Sequence, residues 1–250
     1  MSLKLEISGF IETKVHQANQ RGFYRQPLTG FSSASDPLYA AIKEIVGPHH
    51  LRPEDVLPEV KTVVSFFLPF SKEVVEANRK EATDPAREWV DAYVHANDLI
   101  EEINLELVEL LKSKGLGAGM VRTADNYDGI NLRAPWSHRS AAFIAGLGRF
   151  GLNRMLITPV GAAGRFGTMF ISEEIQPSTR PANELCLFFK NGGCGFCLKH
   201  CPPKALGGGP DEFDRQACNR KLLQVTPYTS SLGMDLDVCG KCDVGPCAIF

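Results

Sequence analysis

Cysteine is missing from the first 185 residues of this 250-residue chain, and all eight cysteines lie in the last 65. The chain also has no apolar run close to the 18 or so residues of a membrane span; the longest, 63–70, is interrupted by Pro69. A net charge of −2 gives no overall basic field that would attract nucleic acid. The first ten residues contain no apolar core of an export signal, so we expect a cytoplasmic protein with reduced thiols.

The first four cysteines are spaced as in iron–sulfur proteins. They are separated by seven, two and three residues and are followed directly by Pro202; they are Cys186, Cys194, Cys197 and Cys201. This spacing, closed by Cys-Pro, is typical of cysteines that bind cubane clusters. Four more complete a set of eight thiolates: Cys218, Cys239, Cys242 and Cys247. We therefore predict two [4Fe–4S] clusters and single-electron transfer.

Two other interpretations of these cysteines remain open. Zinc is the stronger one, because Cys194/Cys197 and Cys239/Cys242 are C-x2-C pairs that could each supply half of a tetrahedral site. The closely spaced third thiolate, Cys201, has no role in such pairs, so iron–sulfur is favoured. A disulfide framework needs an oxidising compartment, which the missing export signal argues against.

Two-cluster ferredoxins share their ligands between cysteine runs, since the last cysteine of one run binds the other cluster. This rule assigns a first set, Cys186, Cys194, Cys197 and Cys247, to one cluster. It assigns a second set, Cys201, Cys218, Cys239 and Cys242, to the other. The chain departs from the simple pattern in its first spacing, in the 20 residues before Cys239 and in Ala248 after Cys247.

The first 180 residues mix helical and strand-like patterns. The pattern predicts helices at 36–46, 84–115 and 135–145, and strands at 60–68, 120–123, 155–158 and 166–172. Residues 161–164 form a glycine-rich turn that joins the last two strands, and polar and proline residues at 175–183 mark a boundary. We predict an α+β protein with domains 1–180 and 181–250.

Gly146, Gly148 and Gly151 match the G-x-G-x-x-G pattern of dinucleotide-binding proteins. In those proteins a strand precedes the glycines and a helix follows them. Here the preceding residues are helical in pattern and the following ones are strand-like. We interpret the glycines as ending a helix and letting the backbone approach another strand or a large cofactor.

Several segments together resemble the epoxyqueuosine reductase family and the related reductive dehalogenases: Ala134-Pro135 with Arg139, the glycines 146–151, Leu156-Ile157-Thr158-Pro159, Arg165-Phe166-Gly167 and the cysteine runs. The resemblance spans residues 55–250 and is most specific over 134–202. It implies a nitroreductase-like α/β domain that binds cobalamin, with flavin as the alternative, and a small C-terminal ferredoxin-like domain with two [4Fe–4S] clusters. It implies cofactor contacts by Arg139, Gly146, Gly148, Gly151, Asn153, Thr158 and Arg165.

The resemblance fails at the proton donor. The family places Asp-Ser before Ala-Pro, whereas this chain has Leu132 and Arg133 there, and leucine cannot be a general acid. Asp128, just upstream, is the candidate replacement. His138 and Arg139 are the other polar candidates, because a helix beginning near Pro135 would present them to a bound anion. The candidate catalytic residues are thus Arg139, His138 and Asp128.

These observations predict an oxidoreductase of the epoxyqueuosine reductase-like class, in which two clusters pass single electrons to a corrinoid. The alternative is an electron-transfer or corrinoid-reducing protein that serves a partner corrinoid protein and has no substrate of its own. Either function needs an electron donor, which the sequence does not identify. We do not expect a membrane or tRNA as partner, because there is no basic patch and the chain continues only three residues beyond Cys247.

Overall fold

The computed structural model describes residues 2–209 and 212–250 and mixes helices with sheet, as the sequence predicts. The chain packs into two compact units. Unit 1 contains Met1–Leu68, Ala96–Gly148 and Arg165–Ala182; unit 2 contains Pro69–His95, Arg149–Gly164 and Asn183–Phe250. The units therefore alternate along the chain. The division into consecutive domains at residue 180 stays a prediction.

Unit 1 is built on a sheet with strand order β1-β2-β6-β3. Its strands are β1 (Leu28–Ser33), β2 (Thr62–Pro69), β3 (Ala118–Gly119) and β6 (Gly164–Ile171). β1 runs antiparallel to β2, with Leu28 opposite Phe67, and β3 runs antiparallel to β6, with Ala118 opposite Ile171. Every residue of β2 is buried, as expected of a continuous apolar run at the centre of a sheet.

Several helices and 3-10 turns pack with the sheet in unit 1. They are α1 (Leu3–Ala18), α2 (Pro37–Val46), α3 (Pro53–Val56), most of α5 (Arg87–Ser113), α6 (His138–Ile144) and the 3-10 turns Asn19–Arg21 and Thr123–Asp125. α1 buries Ile7, Ile11 and Val15, which recur every four residues. α2 begins as predicted, because the Asp36 side chain accepts a hydrogen bond from the Leu38 N–H at 3.0 Å and Pro37 follows it.

Unit 2 consists of short elements around the cysteines. They are α4 (Lys72–Lys80), the first residues of α5, β4 (Arg149–Phe150), β5 (Leu156–Ile157), α7 (Leu187–Asn191), α8 (Phe196–His200), α9 (Arg215–Ser231) and a 3-10 turn, Lys241–Asp243. β4 and β5 form an antiparallel pair. Phe70 and Trp89 pack edge to face with ring centres 5.1 Å apart. Gly240 lies so close to Trp89 that a Cβ atom would sit 2.3 Å from the indole.

Three predicted elements differ from the structure. The strand predicted at 120–123 is wrong: the strand is Ala118–Gly119, and the Thr123 N–H donates to the Glu101 side chain instead of to a neighbouring strand. The helix predicted from 135 begins at His138, because Ser137 caps it and accepts the Ser140 N–H at 3.2 Å. The residues predicted as strand 155–158 pair with β4, and only 164–171 joins the large sheet.

The glycine motif has the predicted order. α6 precedes it, the chain turns at Gly146, which has φ +80°, and β4 follows. This is the reverse of the strand–glycine–helix order that binds a dinucleotide. No helix within residues 2–209 and 212–250 is both long and apolar enough to cross a bilayer.

Candidate functional site

The first set of cysteines lies in an apolar part of unit 2. All eight cysteines of the chain are free thiols. Cys186, Cys197 and Cys247 pack in one cluster with Leu152 and Ile157. A cavity beside them is lined by all four cysteines of the first set; its other walls are mostly apolar, and Cys242 also borders it. The four thiols thus share one largely apolar pocket.

The second set packs in a neighbouring apolar cluster. Cys201, Cys218 and Cys242 lie against Ala205 and Ala217, and Cys197 also reaches this cluster. Cys239 belongs to the same group because its charge acts on the Cys242 thiol. The pKa of the Cys242 thiol is raised well above its ordinary value by burial and then by the charges of Asp243 and of the other three cysteines of the second set.

The chemistry of these thiols fits a bound cluster whose iron–sulfide core is cationic. Burial raises the pKa of Cys197 to about 11 and that of Cys247 to about 12, and in each case neighbouring thiolates of the first set add to the shift. Such thiols stay protonated at neutral pH unless a metal centre binds them as thiolates. Cys197 and Cys242 each border both groups, and the assignment of ligands to the two clusters stays a prediction.

A single metal ion is a different kind of site. Among the described residues, no three or more His, Cys, Asp or Glu side chains are close enough to hold one ion. In a cubane each thiolate binds its own iron atom, so its ligands lie further apart than those around a single tetrahedral ion.

Backbone geometry places the cysteines. Gly192 and Gly240 both have φ 71°, a left-handed conformation that lets the chain turn after α7 and between Cys239 and Cys242. The Asn153 side chain donates to the Cys242 carbonyl at 3.1 Å, and the Ala162 N–H donates to the Cys247 carbonyl at 2.9 Å. No local sequence pattern signals these two contacts, because each joins residues 85 or more positions apart.

Lys241 is a buried residue of this site that the sequence analysis missed. It stands between Cys239 and Cys242, and only 3% of it is exposed. Its ammonium donates to the Asn78 backbone oxygen at 2.7 Å, to Asn78 Oδ1 at 2.9 Å and to the Glu81 backbone oxygen at 2.8 Å. Burial lowers its pKa to about 8, while the charges of Cys239, Glu81 and Asp84 act in the opposite direction.

In unit 1, His138 belongs to a polar network whose hydrogen bonds fix its protonation. The Asn126 side chain is bonded to the backbone of Trp136. The Trp136 backbone N–H donates to Asn126 Oδ1 at 2.8 Å, and the Trp136 carbonyl accepts from Asn126 Nδ2 at 3.0 Å. Nδ2 also lies 3.1 Å from His138 Nε2, so Nε2 must accept. Nδ1 then carries the proton and donates to Thr168 Oγ1 at 2.8 Å. The imidazole is neutral.

The surroundings of His138 keep it neutral. Burial, together with the charges of Arg165 and Arg139, lowers its pKa to about 4. Arg165 Nε donates to Asn97 Oδ1 at 3.0 Å, and Arg139 is exposed in the first turn of α6. The structure therefore brings His138 close to both arginines. The imidazole of His138 is neutral and hydrogen-bonded there.

A second buried histidine supports the same segment. His50 Nδ1 donates to the Leu51 carbonyl at 2.8 Å, and Nε2 accepts the Ser137 N–H at 3.1 Å. Its ring lies 5.7 Å from that of Trp136. Burial lowers the pKa of His50. Two neutral histidines thus hold the backbone from Trp136 to His138.

Asp128 caps a turn in the loop before this segment. Its carboxylate accepts the Ile130 N–H at 2.9 Å and both the backbone N–H and the side-chain amide of Asn131, at 3.0 and 2.7 Å. These bonds to Asn131 and Ile130 lower its pKa. Leu132 follows with φ 54°, and the Asp128 N–H donates to the Arg133 carbonyl at 3.2 Å. This arrangement stabilises an ionised carboxylate, which opposes a role as proton donor; that role stays a prediction.

The residues implied as cofactor contacts are divided between the units. In unit 1 a Cβ at Gly146 would meet the Thr179 oxygen at 2.7 Å, and in unit 2 a Cβ at Gly151 would meet Ile157 at 2.6 Å. Packing inside the protein therefore explains both glycines. Gly148 is buried in the same turn.

The two remaining polar side chains of the motif are engaged within unit 2. Thr158 Oγ1 donates to the Gly161 carbonyl at 2.6 Å, and Asn153 Oδ1 accepts the Met155 N–H at 3.2 Å. Both residues are buried. Arg139 and Arg165 are the cationic members of the implied set.

Comparison with known proteins gives one kind of match. No protein-family model and no curated protein matches the chain. Among solved structures, epoxyqueuosine reductase from Bacillus subtilis is 22% identical over 97% of this chain and 66% of its own, with a TM-score of 0.58. The Streptococcus thermophilus enzyme is 17% identical over 99% and 66%, with a TM-score of 0.56. A catabolic reductive dehalogenase is 17% identical over 86% and 28%, with a TM-score of 0.60.

These structures are of the two kinds that the sequence motifs resemble. The chain shares their fold, and it spans 66% of the length of the epoxyqueuosine reductases. The resemblance stated from the sequence is thereby confirmed at the level of the fold.

Proposed function

We propose that this chain is an iron–sulfur oxidoreductase that passes single electrons through two [4Fe–4S] clusters to a corrinoid bound by its N-terminal part. The observation that carries the proposal is the arrangement of the free thiols in two partly buried, largely apolar groups. The proposed layout is a nitroreductase-like domain, 1–180, and a ferredoxin-like domain, 181–250. Free thiols in this number suit a reducing compartment such as the cytoplasm, where an electron donor would act on them.

The protein's own contribution to electron transfer is the environment of the thiols. When bound, the clusters supply one-electron chemistry, and their potentials depend on net charge, hydrogen bonds to sulfur and exposure to solvent. The apolar side chains around both sets exclude water. The chain turns at Gly192 and Gly240 bring backbone groups close to the cysteines.

The choice of a corrinoid rests on the fold. One reductive dehalogenase structure with this fold is described as suggesting a mechanism for B12-dependent dehalogenation. In this chain Arg139 and Arg165 are the side chains of the implied set whose charge suits an anionic group of a cofactor or substrate. The glycines of the motif are explained by internal packing and do not distinguish a corrinoid from a flavin.

A second candidate function is electron transfer to a corrinoid on a partner protein, without a substrate. The loop before α6 favours it, because it offers no ready acid. Leu132 cannot donate a proton, Asp128 is held as a carboxylate, and His138 is neutral. For the same reason we do not assign tRNA as substrate, although one epoxyqueuosine reductase structure contains a modified tRNA stem loop.

Anaerobic reconstitution separates these functions. The protein is loaded with iron, sulfide and hydroxocobalamin, desalted, and analysed for metals and corrinoid. About eight iron atoms per chain with one retained corrinoid supports the enzyme. The same iron content without corrinoid supports the partner function. Zinc in place of iron would refute both, and a Cys186→Ala, Cys239→Ala double variant controls for iron that is bound elsewhere.

A further inference from the structure

Lys241 is the one buried lysine among the described residues. Its three hydrogen bonds all go to neutral oxygens, two on Asn78 and one on Glu81. No carboxylate in the described part of the chain lies within 4.0 Å of its ammonium. A buried ammonium is costly unless negative charge compensates it, and the carbonyls of Asn78 and Glu81, at the C-terminal end of α4, supply only a partial negative charge.

The anion that best fits this need is the second cysteine set. Among the negative groups that act on Lys241, Cys239 has the largest effect, ahead of Glu81 and Asp84. Asn78 connects the two groups, since its Oδ1 accepts from the Lys241 ammonium at 2.9 Å and its Nδ2 donates to the Cys239 carbonyl at 3.1 Å. Lys241 thus holds a positive charge one side chain away from the backbone of a predicted ligand.

Asn78 fixes this arrangement. It is fully buried, its Nδ2 donates to the Cys239 carbonyl at 3.1 Å, and its Oδ1 accepts from Ala86 N–H at 3.1 Å as well as from Lys241. The end of α4 is therefore tied to the backbone of one predicted cluster ligand and to the ammonium beside it. The charge is held in place before any metal binds.

We propose that Lys241 is a positioning residue of the second cluster, and that its buried charge raises the reduction potential of that cluster. This inference rests on the proposed function. A cubane with four thiolates is anionic and becomes more so on reduction, so a fixed cation at short range stabilises the reduced form more than the oxidised form.

The test compares two substitutions in the full chain. Lys241→Gln removes the charge and keeps an N–H donor, whereas Lys241→Arg keeps the charge. Iron and sulfide are counted first, and both clusters are then titrated with a reductant under anaerobic conditions and followed by paramagnetic resonance. We expect Lys241→Gln to make one cluster about tenfold harder to reduce, which is about 59 mV for one electron, and Lys241→Arg to restore it.

Lys199→Gln is the matched control. Lys199 precedes Cys201 by two residues, as Lys241 follows Cys239 by two, but it is exposed and water screens its charge. Its loss should leave both potentials unchanged. A shift as large as that of Lys241→Gln would show that any nearby lysine suffices and would overturn the inference.

Each remaining outcome also supports or overturns the inference. If both Lys241 variants load fully and neither potential moves, the inference fails while the proposed function stands. If only Lys241→Gln fails to hold iron, the charge is needed to assemble the cluster and its effect on the potential is not what Lys241 supplies, so the inference fails. Equal loss of iron from both variants would show a purely steric role and overturn it. A wild-type chain that binds no iron refutes the proposed function itself.

Discussion

His138 is mostly buried and is neutral in the folded protein. We therefore expect the protein to lose stability in mild acid, and we expect that loss to disappear when a side chain that does not titrate replaces His138. Asn126 Nδ2 donates to Nε2, so protonation there would place two donors against each other at 3.1 Å. The unfolded chain has no such conflict and binds the proton freely. His138→Gln keeps a hydrogen-bonding side chain of similar reach and cannot titrate.

The sign and size follow from the pKa. It falls from the ordinary 6.5 to about 4 in the fold, so the unfolded state binds the proton first. The contribution of His138 is complete above 6.5 and is lost as the pH falls towards 4. The full shift is worth about 3 kcal/mol, of which about 2 kcal/mol is lost by about pH 5. Because the side chain is partly exposed to water, these free energies are upper values.

Denaturant unfolding at about pH 7.5 and about pH 5 measures the effect. The wild-type chain should lose about 2 kcal/mol more than His138→Gln over this interval. His50 is present in both proteins, so its own contribution cancels. His16→Gln, at an exposed position near the end of α1, should behave as wild type. Equal acid losses in wild type and His138→Gln would refute the neutral imidazole.

Three further predictions test other parts of the structure. Cys201→Ala should abolish the second cluster and leave about four iron atoms in the first, and loss of the first cluster instead would contradict the sharing of ligands between runs. Gly167→Ala should destabilise the fold by about 1–3 kcal/mol in thermal unfolding, because a Cβ would lie 2.2 Å from the Phe66 ring. Gly9→Ala in α1 is the control: its Cβ meets nothing within 4 Å, and it should stabilise the fold by up to about 1 kcal/mol. Asp128→Asn should speed amide hydrogen exchange at residues 130 and 131, whose N–H groups its carboxylate accepts, and unchanged exchange would mean that the turn does not depend on it.

Local sequence signals predicted the elements that they control directly. Asp36-Pro37 marks the start of α2, and the apolar run of β2 marks a central strand. β1 carries no such signal, because its sequence, LTGFSS, contains a glycine and two serines. The fold explains the glycine: a Cβ at Gly30 would lie 2.4 Å from the Ala145 oxygen. A requirement set by a residue 115 positions away cannot be read from neighbouring residues.

The candidate site shows the same limit. Cysteine spacing predicts two groups of thiols, because ligands of one cluster lie close together in the chain. The brace formed by Asn78 and Lys241 joins residues 163 positions apart and has no motif. His138 was predicted as a candidate from its place in a helix, but its neutral state depends on Asn126 and Thr168, which only the fold brings to it.

The protonation of this network bears on which proposed function applies. Transfer of an electron to a corrinoid needs no acid, whereas reductive cleavage of a substrate bond consumes a proton. Of the two candidate acids, Asp128 is a carboxylate that accepts three hydrogen bonds and carries no proton, and the single ring proton of His138 faces Thr168. Asp128 would first have to be protonated, and His138 would first have to break its bond to Thr168. The geometry of the loop therefore favours electron transfer to a corrinoid over reductive cleavage of a substrate, for which the substrate or water would have to supply the proton.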